Sequence, residues 1–400
     1  MVAMRFDYRD IFRSARLAFS FQRMWIQFVG LLCGYLGYVI FTYLSMVIEG
    51  KDLGGSWSRF GLLPYNSLVP LRIGLIPFLI GLFILLFSWL VTSTGVARAT
   101  YMHLKGNTFY SWREAFSFAL RKKGTSVIST PVAIFIMAFF TCLGGAVVGL
   151  VARIPYLGEL GISLFAIVWF MISLFVIFIL MALHVSLLLT PAILATTDDD
   201  AFEGIFQSFS TLYSQPWRLI LYEILLGMVA LLGFGIFVFF AKQGWRLMTT
   251  IFIWGMGDKY ADLSYAASYL LQTWIYPAAT WSKTILGEYS SYFLFTHDFS
   301  VIGLPVVMTI SSWILAICMV VIGGFILSYL FAVVNVGQCV IFLVLKKKKD
   351  DENLLERKDK EEEEEEKETE EKKEEKEEEK KVEKKKRSPQ KKERKKPSSK

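Results

Sequence analysis

Residues 219–241 form an apolar run that contains one charged side chain, Glu223. At ~1.5 Å per residue a helix of that length crosses a hydrocarbon layer of about 30 Å. Comparable runs lie at 25–48, 73–97, 127–152, 162–189 and 306–345. A soluble domain has no place to hide six such segments from water. Within lipid every backbone N–H and C=O must be satisfied inside its own segment, so helices are the expected solution. The expected fold class is all-α: a polytopic membrane helical bundle of about six transmembrane helices in three hairpins, with amphipathic interfacial helices and a charged low-complexity C-terminal tail.

The hairpins follow from a repeat. Asp200 and Glu203 have the spacing of a capping box, in which the first side chain accepts from the free N–H groups of a helix start and the second reaches back. Phe202, Ile205, Phe206, Phe209, Leu212 and Tyr213 then recur at helical spacing on one face, and Pro216 and Trp217 open the span at 217–241. Ser111 and Glu114 repeat the box ahead of Trp112, Ala115, Phe116 and Ala119. Asp7 and Asp10 form a weaker pair ahead of Tyr8, Ile11, Phe12 and Ala15. Each copy reads as a surface helix that leads into a membrane segment.

On this plan residues 1–23 form an amphipathic interfacial helix, 24–345 a six-span membrane domain, and 346–400 a Lys/Glu-rich tail, disordered or partly helical. Arg9, Arg13 and Arg16 make a basic stripe that suits anionic lipid at the cytoplasmic face or serves as an orienting flank. Lys and Arg concentrate before the first and third spans, five and six, against three and one in the loops at 49–72 and 153–160. The positive-inside rule therefore makes both termini cytoplasmic. The loop at 49–72, with Gly54, Gly55, Pro64 and Pro70, is expected to be irregular.

Residues 242–300 read as an external excursion rich in Trp and Tyr, with interfacial helices or, alternatively, a re-entrant segment at 250–256. The last run, 306–345, would reach ~60 Å as one straight helix. It must tilt, break or project, with Gly323, Gly324, Asn335 and Gln338 as adjustment points. Residues 380–400 hold 12 basic and 2 acidic side chains. They offer a surface for anionic lipid, RNA or an acidic protein, or a solubilising extension; a protein partner is the expectation, and nucleic acid is not.

Polar groups inside spans are the functional candidates, because placing them in lipid is costly. They are Glu223, His184, Asn335 and Gln338. Cys33, Cys142, Cys318 and Cys339 lie singly in apolar segments and read as small buried hydrophobes. His297 with Asp298, and Asp258 with Asp262, lack a third metal ligand at useful spacing. Catalytic motifs such as GxSxG, HExxH and the phosphate-binding glycine loops do not occur. No catalytic residue, metal or cofactor is expected.

Ile205 to Phe209 followed by Pro216 and Trp217, and Gly95 to Arg98 followed by Lys105, Gly106 and Glu114 to Phe116, resemble the helix-then-span unit of bacterial membrane proteins related to the membrane domain of glycerophosphodiester phosphodiesterases. The resemblance covers about residues 5–345 and implies architecture and a bacterial inner membrane. In that family hydrolysis belongs to a separate soluble barrel, which this sequence lacks, so no activity is carried over. The expected role is a non-enzymatic membrane scaffold or adaptor; the alternative is a transporter or lipid-handling permease with a path between the hairpins.

Overall fold

A computed structural model describes residues 4–66, 73–275 and 304–357. His297, Asp298, the later part of the 242–300 excursion and the tail from 358 onward lie outside the described residues. The chain divides into two units, Met1–Leu355 and Glu356–Lys400. Among the described residues, the regular structure of the first unit is entirely helical.

Hairpin 1 pairs α2 (Phe21–Ile48) with α4 (Leu75–Lys105), hairpin 2 pairs α6 (Gly124–Val151) with α8 (Ala166–Thr197), and hairpin 3 pairs α10 (Pro216–Met256) with α12 (Val306–Asp350). All six are long and apolar enough to cross a membrane. Three short helices join this plan: α1 (Arg13–Ala18) after a 3-10 turn at Tyr8–Asp10, α5 (Trp112–Ser117) running into a π-helical turn at Phe118–Lys122, and α9 (Ala201–Ser214). Helix α5 packs on hairpin 1, α9 on hairpin 2 and also α10, and α1 closes the ring by packing on α12 and α10. Each short helix thus grips the hairpin preceding its own.

The second helices of the hairpins, α4, α8 and α12, touch one another pairwise and carry the core at the end of the bundle where they terminate, here the basal end. Residues 90–102 of α4, 189–197 of α8 and 335–345 of α12 are buried without a break. Elsewhere the same helices bury one side and present Ile, Leu, Val and Phe outward. Lipid tails are as apolar as those side chains, so close packing and hydrogen bonds between helices hold the bundle together. In hairpin 1, Gly30, Gly34 and Gly37 let α4 approach: a Cβ at Gly34 would stand 2.7 Å from the Ser88 side chain, and one at Gly30 would overlap Thr92. The Ser88 hydroxyl donates across that contact to the Gly30 carbonyl at 2.6 Å.

The capping boxes resolve differently. At Ser111 and Glu114 both reciprocal bonds form. Asp7 caps the 3-10 turn through Tyr8 N–H, whereas Asp10 accepts from Arg5 N–H and pairs with Arg13 at 3.2 Å. The Asp200 side chain makes no cap bond, and Glu203 accepts instead from Gln207 at 2.5 Å, one turn along the helix. The expected apolar face of α9 divides: Leu212 is buried and Ile205 and Phe209 pack against the core, while Phe202, Phe206 and Tyr213 are exposed; Gly204, Gln207, Ser208 and Thr211 are buried beside Leu212. Small and polar groups allow close approach and satisfy each other in the protein, and the aromatics serve the lipid boundary.

Other expectations are corrected. Residues 1–23 do not form one helix: it breaks at Phe19 and Ser20, and Arg23 is buried in the first turn of α2. Residues 53–60 of the supposedly irregular loop form α3 (Leu53–Phe60), because the Asp52 carboxylate caps Gly55 N–H at 2.6 Å. A further short helix, α7 (Leu157–Leu164), precedes α8. Helix α10 does not stop at 241; residues 242–256 complete it, so a re-entrant segment at 250–256 does not form, and Gly257 at φ 64° turns the chain into α11 (Asp258–Trp274). No proline interrupts that stretch, and the helix runs through Gly244 and Gly255 before Gly257 ends it. Helix α12 is continuous over 45 residues, ~67 Å at helical rise, and neither Gly323 nor Asn335 interrupts it. Its first part packs with α11 and Trp245 in a separate apolar cluster, and its last part fills the basal core.

Candidate functional site

Two polar contacts join α12 to its neighbours, one to α2 and one to α10. Asn335 and Gln338 are three residues apart and share a face of α12. Asn335 Nδ2 donates to Gln27 Oε1 of α2 at 2.7 Å, and Gln338 Nε2 donates to Glu223 Oε2 of α10 at 2.8 Å. Gly337 lies between them against Leu226, where a Cβ would overlap the leucine, and this lets α10 press on α12. On the other side Cys339 Sγ donates to the Ala97 carbonyl of α4 at 3.6 Å. One turn before Gln27 stands Arg23, whose Nη1 donates to the Leu17 carbonyl at the end of α1.

Four atoms of these side chains have no hydrogen-bond partner among the described residues although they are shut from solvent: Arg23 Nε, Gln27 Nε2, Glu223 Oε1 and Gln338 Oε1. Two are donors on α2, and two are acceptors on α10 and α12. A buried polar atom without a partner costs ~1–3 kcal/mol.

Of the sequence candidates, Glu223, Asn335 and Gln338 make these contacts. His184 does not; it is exposed on α8. Gln27 and Arg23 were missed, because a Gln one turn after an Arg at a span entrance looks like an interfacial flank.

A second polar cluster was also missed. Arg98 is fully buried near the end of α4, and its Nη1 donates to the Ala195 carbonyl in the last turn of α8 at 3.0 Å. Its guanidinium carbon lies 4.3 Å from the Phe118 ring centroid. Lys123 pairs with Asp198 at 2.7 Å and donates to the Asp199 carbonyl at 2.9 Å. Both cations sit where the last carbonyls of α8 are free and its dipole is negative. The only sequence signal was an Arg inside an otherwise neutral stretch, residues 90–102.

At the basal end a clasp holds the end of α12. Lys346 pairs with Asp350 at 2.7 Å and Lys347 with Asp351 at 2.9 Å. Lys348 donates to the Tyr222 hydroxyl at 3.3 Å and lies 3.8 Å from Asp7, while Lys349 donates to Ser210 of α9. Asp351 ends the helix at φ 54°, and the bond from Lys347 holds its carboxyl below the usual carboxylate range. Leu354 and Leu355 then fold back into the basal core.

These features define the class: a polytopic α-helical membrane protein with buried polar contacts between its spans and a clasped C-terminal exit. Comparison with protein-family models, with curated proteins and with solved structures finds no match to this chain.

Proposed function

We propose that the protein is a non-enzymatic scaffold or adaptor of a bacterial inner membrane, multi-pass with both termini cytoplasmic. The carrying observation is the burial of Leu354 and Leu355, at 1% and 2% exposure. They fasten the chain immediately before residues 356–400, ten residues into the stretch read from sequence as the tail. A tail that only solubilises the protein needs no such anchorage. Arg9 and Arg16 on the outer side of the 3-10 turn and α1, with Arg121 and Lys122 near α5, are exposed and suit anionic headgroups at the same end. Deleting residues 356–400 and comparing crosslinked partners tests this reading. Loss of a protein partner supports it, and an unchanged set of partners removes it.

The unpartnered oxygens of Glu223 and Gln338 favour a second reading, a permease with a path between hairpins 1 and 3. In that case Glu223→Gln abolishes uptake or lipid transfer by the reconstituted protein. A variant as active as the parent excludes Glu223 from any path.

A further inference from the structure

The loop between α2 and α4 brings an amine, a carboxylate and a carboxamide together. Lys51 Nζ donates to Asn66 Oδ1 at 2.9 Å and lies 2.8 Å from Glu49 Oε2, while Asn66 Nδ2 donates to Glu49 Oε1 at 3.2 Å. One carboxylate therefore touches both the amine nitrogen and the amide nitrogen, and the amine touches the amide oxygen. The amide carbon is one C=O bond, ~1.23 Å, beyond that oxygen, which puts the amine within about 4 Å of it. Groups poised to react stand ~3–3.5 Å apart, so little movement is needed. The cluster is also held from several sides. Asn66 is 1% exposed, and its Nδ2 donates as well to Ser45 Oγ at 2.6 Å, which donates in turn to the Gly74 carbonyl at 2.7 Å. The hydroxyls of Tyr35, Tyr38 and Tyr43 on α2 donate to the carbonyls of Leu62, Pro64 and Gly61, so the strand of loop that carries Asn66 is pinned to the helix that ends before Glu49. Gly50, at φ 76°, turns Lys51 back onto the group. An ion pair alone needs only Lys51 and Glu49. A buried carboxamide with its oxygen on the amine and its nitrogen on the carboxylate is what an acyl transfer needs.

From this geometry we infer that Lys51 and Asn66 condense into an isopeptide bond, a covalent staple that closes the loop over residues 51–66 with α3 inside it. Glu49 takes a proton from the Lys51 ammonium and frees its lone pair. The amine attacks Asn66 Cγ, the Nζ–Cγ bond forms, and the Cγ–Nδ2 bond breaks as Glu49 carries the proton from the attacking nitrogen to the departing one. An ammonium group and a carboxamide become a secondary amide and an ammonium ion, so atoms and charge balance without any further reactant. Glu49 suits the shuttle because its side chain is 9% exposed, whereas that of Lys51, at 41%, approaches from the solvent side. The bond fixes the loop at Leu62, whose N–H donates to the Trp274 carbonyl at the end of α11 at 2.8 Å. It therefore fastens hairpin 1 where that hairpin meets the helix packed on α12. The inference is independent of the scaffold and permease readings, since neither uses this loop.

The test is the intact mass of the full chain, purified from membranes in detergent and then denatured. The parent is expected to be lighter than its sequence by one ammonia. Trypsin is blocked at an acylated Lys51 but cuts after Arg59, inside the closed loop, so the two flanking pieces remain joined as one branched peptide whose fragments place the bond between Lys51 and Asn66. Lys51→Arg keeps the charge on an exposed side chain and is expected to fold as the parent does, yet to show the full mass and two separate peptides. Glu49→Gln keeps the side-chain shape without a basic oxygen and is expected to lose the bond as well; a bond that still forms there overturns the part given to the carboxylate. A parent of full mass, with its two peptides separate, overturns the proposal and leaves a hydrogen-bonded ion pair. So does an ammonia deficit that persists in Lys51→Arg, because that marks cyclisation of an asparagine on its own backbone rather than a staple.

Discussion

The Tyr101 hydroxyl donates to the Leu354 carbonyl at 2.8 Å across 253 residues of sequence, and both residues are buried. This bond joins the end of the first hairpin to the last turn of the membrane unit. Tyr101→Phe leaves that carbonyl without its donor in a dry site, at a cost of about 1–2 kcal/mol. The expected result is a bundle that still folds but is cut faster by protease just after Leu355. Cleavage at the parental rate would show that Leu354 and Leu355 hold by apolar packing alone.

Gly34→Leu forces a branched side chain into the Ser88 position, where even a Cβ meets the serine at 2.7 Å. Hairpin 1 is held by this close approach, so a loss of roughly 1–3 kcal/mol is expected in denaturant unfolding of the detergent-solubilised protein. Gly149→Leu on α6 meets nothing within 4 Å and leaves the midpoint unchanged.

Arg98→Met removes the donor to Ala195 and the cation over Phe118 while keeping much of the buried volume. A hydrogen bond from a charged group contributes ~1.5–3 kcal/mol, so a loss of that size is expected, with fraying of α8 seen as faster amide exchange at residues 193–197. Arg98→Lys restores the charge without the planar fork and recovers only part of the loss.

The basal clasp also has a pH signature. The carboxyl of Asp351 is held low by Lys347 in the fold, so its contribution is present above the ordinary carboxylate pKa and is lost as pH falls through the depressed value. Protease cleavage after Leu355 is expected to hold steady from neutral pH down to about pH 4, where ordinary aspartates begin to titrate, and to rise below it. Because Asp351 is fully exposed the rise is small and fades with added salt.

What could be read before the fold was seen follows from physical range. Six spans, three hairpins and the Ser111 capping box depend on length, periodicity and neighbours within a turn, and these are local properties of the chain. Glu223, Asn335 and Gln338 stood out because each is polar among apolar residues. Their partners did not: Gln27 meets Asn335 across 308 residues, and Arg98 meets Ala195 across 97. The face of α9 was ambiguous for another reason. Leu212, Ile205 and Phe209 of its apolar side pack inward together with the small polar Gly204, Ser208 and Thr211, while Phe202, Phe206 and Tyr213 stay exposed, a division that lipid outside the bundle permits. The Asp200 box failed because Gln207 competed for Glu203 from one turn away.

The same long-range contacts make a prediction about sidedness. Lys349 donates to Ser210, and Tyr101 donates to Leu354, so the ends of α4, α9 and α12 meet at one end of the bundle. Lys105 and Ser214 each lie one helical turn, about 6 Å, beyond a residue of that group. Ser58 belongs to α3 in the loop between α2 and α4, and is exposed. An impermeant maleimide reacts with thiolates reached by water and spares Cys33, Cys142 and Cys318, which are exposed rather than buried as expected but lie on the apolar spans; of the four cysteines only Cys339 is buried. Applied to sealed inside-out vesicles, it is expected to label Lys105→Cys and Ser214→Cys and to spare Ser58→Cys; right-side-out vesicles should reverse the pattern. Labelling of the first two from opposite sides would break the three-hairpin arrangement, since one span would then have to be added or lost between them.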